Sequence, residues 1–166
     1  MPIYKPKVPV MAAIACSGVA LIFQLVAVAG TGWITSSGGD MGLFRFCVYT
    51  PPFNIYVCAR FTDATDYWLA CQVFSLLGEG TIFASFVIGV LHLFREDTTR
   101  LTVPVTALSA VSVAILVVEV GVFAGKTSAV YAITPTYGYG FYLSIAAAVL
   151  SLVSTILHAV GRFASQ

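Results

Sequence analysis

The residues with the most chemical potential in this chain are its cysteines and a few isolated acids. Cys47 and Cys58 lie in a polar stretch with no His, Cys or acidic cluster at zinc spacing around them and no CxxC arrangement. That setting favours a disulfide over a metal or redox centre. Cys16 and Cys71 fall in or at the edge of apolar runs, where a thiol serves as a small packing group. Glu79 and Glu119 also fall in apolar runs, and an ionisable group in such a place is a functional hypothesis by default. Both are expected to face a bundle interior or a partner helix as structural carboxyls, with Gln24 as the hydrogen-bond partner of Glu119. His92 and His158 lie near run ends, where snorkelling or capping is the ordinary role. There is no nucleophile elbow, zinc-helix motif, phosphate loop or carboxylate pair with a His partner. The chain therefore reads as a non-enzyme, with no cofactor or metal implied.

The elements that must position these residues follow from composition. Hydrophobic residues make up 59% of the 166 positions and charged residues only 9%, too little polar surface for a soluble domain of this length. A formal charge of +1 with no Lys or Arg run excludes a nucleic-acid partner. Four apolar runs, at about 8–30, 68–94, 101–124 and 141–161, are each long enough to cross a hydrocarbon core of roughly 30 Å at about 1.5 Å per helical residue. The whole chain is thus expected to be one mainly α four-span membrane domain, with loops at 31–67 and 125–140 on one side and both termini on the other. Ala27-Val28-Ala29 imitates a signal-cleavage site, but the preceding run is longer than a secretory core of about 7–15 residues, so the first span is expected to stay.

Orientation follows from the basic residues. Lys5, Lys7, Arg95, Arg100 and Arg162 lie on the side of the termini, against Arg45, Arg60 and Lys126 opposite, which puts the termini in the cytoplasm. Cysteines paired in the long loop agree, because thiols oxidise outside. Segments 44–49 and 53–61 are rich in Phe, Tyr and Val and flank Pro51-Pro52. They read as two short strands joined at a turn, stapled by the cysteine pair. Gly121 and Gly125 form a GxxxG pair, and Ala147, Ser151 and Thr155 recur at four-residue spacing, patterns that permit close helix approach in lipid.

Trp33, then Gly42-Leu43-Phe44, then Cys47 and Cys58 resemble the first-loop signature of the claudin, peripheral myelin and epithelial membrane protein superfamily, which reads W, GLW, C, C. The four spans, the long first and shorter third loop and the aromatic entrance to the last span fit the same family. The chain departs from it in Phe44 for the second Trp, in a short interval between Trp33 and Gly42, in Gln72 where claudins often carry Arg, and in ending Ala164-Ser165-Gln166 without a carboxy-terminal valine. The resemblance implies a left-handed four-helix bundle carrying a small extracellular antiparallel sheet, to which the third loop adds a strand or hairpin.

It also implies a plasma-membrane protein, surrounded by lipid, that self-associates or assembles laterally with other membrane proteins. Acting at a cell junction, it would form an adhesive contact, a barrier or a selective paracellular ion path, with Arg60 and Asp63 near the cysteines lining that path. A second reading is an auxiliary subunit that binds an ion channel or receptor and alters its gating or trafficking. The topology is checked first: epitope tags at either end are expected to be unreachable by antibody in intact cells. Surface labelling of a tag, or a mature amino terminus at Gly30, would overturn it.

Overall fold

A computed structural model describes residues 8–62, 64–94, 99–130 and 136–163 of the chain. Four helices dominate: α1 Val8–Ala29, α2 Asp66–His92, α3 Thr99–Val130 and α4 Tyr139–Phe163. Each is long and apolar enough to cross a membrane, the only spanning solution besides a closed barrel that satisfies every backbone group internally. The chain is accordingly a multi-pass helical membrane protein. α3 runs past the 101–124 apolar segment to Val130, taking in the first part of the 125–140 loop. The extension, which includes Lys126, contains no proline, so propagation continues despite Gly125.

The helices close into a bundle in which α1 packs on α4, α2 on α3 and α3 on α4, with a slighter contact between α1 and α2. Small residues allow the close approaches. Gly18 meets Phe86, Gly78 meets Leu116, Gly89 meets Ile14 and Gly161 meets Val10. The GxxxG expectation for Gly121 and Gly125 is not met: a Cβ at either position would meet nothing within 4 Å. Spacing marks a small-residue stripe but not the face turned to a neighbour. Ala147 and Ser151 are buried as the spacing anticipates.

Hydroxyls form polar seams between the helices. Ser17 and Ser154 join α1 to α4 at 2.7 Å, Ser85 and Ser109 join α2 to α3 at 2.6 Å, and Ser112 Oγ donates to Thr81 Oγ1 at 2.9 Å. In lipid, where apolar surfaces give little net drive between helices, such bonds and tight packing supply the association.

At one end of the bundle stands a five-stranded antiparallel sheet in the order β4-β3-β2-β1-β5, built from β1 Ile34–Ser36, β2 Gly39–Met41, β3 Arg45–Thr50, β4 Ile55–Arg60 and β5 Thr136–Tyr137. The expected strand pair is β3 and β4; β3 runs on to Thr50, and β4 begins only at Ile55 because Pro51–Phe53 form a single 3₁₀ turn. Asn54 ends that turn at φ 54°, a left-handed position that Asn tolerates, and its Oδ1 accepts from Tyr49 Oη. The β1–β2 hairpin was not expected from alternation, since each strand has only three residues. The strand expected from the third loop is β5, which pairs with β1.

Cys47 and Cys58 face each other across β3 and β4 and are joined by a disulfide. A two-stranded hairpin is marginal in water, so this staple matters to the end of the sheet farthest from β5. Cys58→Ser is expected to destabilise the hairpin by about 2–4 kcal/mol through restored loop freedom. Limited proteolysis should then cut the hairpin while the four helices stay protected, and equal protease resistance in the two proteins would count against the staple.

Candidate functional site

Backbone and indole bonds hold the sheet on the bundle. The ring of Trp33 is fully buried, edge-on to Phe123 with centroids 4.7 Å apart and to Phe141 at 6.2 Å. Its Nε1 donates to Ala27 O at 2.7 Å, tying the loop back onto α1. The Leu43 side chain is buried in the same cluster, and its carbonyl accepts from Trp68 Nε1 at 2.8 Å and from Gln72 Nε2 at 2.6 Å. Gln72, a departure from the family pattern, thus has a positioning role on the Leu43 carbonyl.

Gly42 is required sterically, because a Cβ there would run into the Gly30 carbonyl and lie 2.8 Å from Thr31 Cα. Phe44 is partly buried and packs against the cluster that holds Trp33. The signature residues Trp33, Gly42, Leu43 and Phe44 therefore form one anchor where α1, α2 and the sheet meet. No family model matches the chain, and no curated protein matches it in sequence.

The strand register sorts the charges. Asp40 lies opposite Cys47, Cys47 opposite Cys58, and Arg45 opposite Arg60, so by strand alternation Asp40, Arg45 and Arg60 share one face with the disulfide. The other face carries Met41, Phe46 and Val48 with Ile55, Val57 and Ala59 and has no charge. Arg45 Nη2 donates to Ala29 O, the last carbonyl of α1, a cation where the helix dipole is negative. Arg60 lies with Arg45 on a cavity bounded by the ends of α1 and α2. Asp63, named with Arg60 for an ion path, lies outside the described residues.

The second polar site is within the bundle. Gln24 Nε2 donates to Ser75 Oγ at 3.2 Å and to Glu119 Oε2 at 3.3 Å, so α1, α2 and α3 meet at one buried group. The expected Gln24–Glu119 pairing is present. Ser75, the third member, was missed because a lone Ser in an apolar run gives no signal by type. Glu79 is not part of this cluster. It is half-buried, and its Oε2 has no hydrogen-bond partner. His92 Nε2 of α2 lies 3.4 Å from Thr102 Oγ1 of α3, and His158 is buried in α4.

The Gln24–Ser75–Glu119 arrangement can hold three helices in register. Glu119→Gln keeps a hydrogen-bonding group and is expected to unfold within about 0.5 kcal/mol of the wild type, whereas Glu119→Leu should lose about 1–2 kcal/mol. Denaturant unfolding in mixed micelles measures both, and equal losses would show that Glu119 contributes volume alone.

Proposed function

We propose that the protein is a non-enzymatic, claudin-like contact protein of the plasma membrane: a left-handed four-span bundle with its sheet outside the cell and both termini in the cytoplasm. The basic-residue bias and the disulfide, which forms where thiols are oxidised, support that orientation. The anchor built from Trp33, Gly42, Leu43 and Phe44 supports the family reading.

The observation that carries the contact role is the free end of the stapled hairpin. Phe53 is 73% exposed and Tyr56 63%, with Ile55 and Val57 also exposed, and none of them belongs to the two core clusters. Exposed apolar side chains on both faces of the hairpin end, away from the bundle, mark a protein-interaction surface. Edge strand β4 lends them a rigid frame, so the hairpin meets a neighbouring protein tip-first. The uncharged sheet face favours a barrier or adhesive contact over an ion-selective path.

Phe53→Asp with Tyr56→Asp, expressed in cells that lack contacts of their own, tests this. The wild-type protein should concentrate where two expressing cells touch, and the variant should reach the surface in equal amount but spread evenly. Even distribution of both proteins, with a large channel co-purifying from mild detergent, would replace the contact role by that of an auxiliary subunit.

A further inference from the structure

The cavity beneath the charged face of the sheet has a volume of about 560 Å³ and a lining of two chemical kinds. Arg45 and Arg60 line it together with the apolar residues Val28, Leu76, Phe44 and Phe61. The two arginines are cross-strand partners, and like charges directly opposite one another destabilise a strand pair. No carboxylate among the described residues forms an ion pair with either. Asp40, on the same face opposite Cys47, is bonded to neither guanidinium. Arg45 is held in place by Ala29 O, and among the described residues nothing engages its remaining N–H donors or those of Arg60. The Gln72 amide at the cavity wall is engaged with Leu43 O, so the arginines are the strong donors here.

Paired guanidinium forks match the oxygens of a phosphate. The apolar lining matches hydrocarbon. Leu25 and Leu76, on the outer halves of α1 and α2, are 56% and 55% exposed, so the cavity opens downward onto apolar helix surface. The geometry points to a phospholipid site: a phosphodiester bound between Arg45 and Arg60, with an acyl chain lying in the shallow groove between α1 and α2. This inference does not depend on the contact role, since it needs only the sheet, the two helix ends and a bilayer.

Native mass spectrometry of the full chain, released from nonionic detergent with added palmitoyl-oleoyl phosphatidylglycerol, tests it. One lipid per chain should survive activation that strips the rest, and diacylglycerol with the same chains should bind at least about tenfold more weakly. Arg45→Gln with Arg60→Gln should weaken phosphatidylglycerol by a similar factor, and Lys126→Gln should not. Leu76→Trp, which fills the groove and leaves both arginines, should also weaken it and serves if the double variant fails to fold. Equal retention by Leu76→Trp and the wild type, or diacylglycerol bound as well as phosphatidylglycerol, would overturn the site. Complete displacement of the lipid by millimolar inorganic phosphate would overturn the lipid and assign the arginines to a soluble anion.

Discussion

The architecture depends on the bonds that fasten an aqueous sheet to an apolar bundle, and above all on the indole of Trp33. Helices inside a membrane satisfy their own backbone groups, and a sheet satisfies its neighbours. The junction between them has no such internal solution. Here the indole N–H closes on Ala27 O, the Trp68 and Gln72 side chains close on Leu43 O, and Arg45 closes on Ala29 O. Carbonyls that would otherwise face a low-dielectric boundary are thus covered by side chains from a different element. Truncating Trp33 would remove both the ring that fills the Phe123–Phe141 corner and the donor, so packing and hydrogen bonding would fail together.

Polarity within the bundle serves the same end. The serine pairs and the Gln24–Ser75–Glu119 cluster each cross between helices, fixing rotation and depth where apolar side chains alone would slide. Close-approach glycines bring the backbones near enough for such short side chains to meet, as at Gly78 against Leu116. Packing and polar pairing are therefore mutually dependent in α2 and α3.

Much of this is legible in the sequence, for physical reasons. Uninterrupted apolar length reports spans directly, because bilayer thickness sets it. Paired cysteines in a polar loop report a staple, and strands long enough to alternate, β3 and β4, report themselves. The three-residue strands β1 and β2 are too short to show a period, and β5 is defined only by its distant partner β1. The facing of Gly121 and Gly125 depends on how α3 is rotated, which the GxxxG spacing by itself does not encode. The convergence of Arg45 and Arg60 on the ends of α1 and α2 is likewise a product of strand register and sheet placement.

The first helix of the chain packs against the last, and the first strand takes its outer partner from just before that last helix. Synthesis proceeds from the amino terminus, so α1 and β1 emerge long before the residues that complete them. Until Thr136 and Tyr137 arrive, the β1 edge has an open ladder, and until Ser154 arrives the Ser17 hydroxyl on α1 lacks its partner. Only a chain made through α4 can close both the sheet and the bundle. A product that stopped short of α4 would carry an exposed polar group in the bilayer and a bare strand edge outside it, a difference that the fold can report.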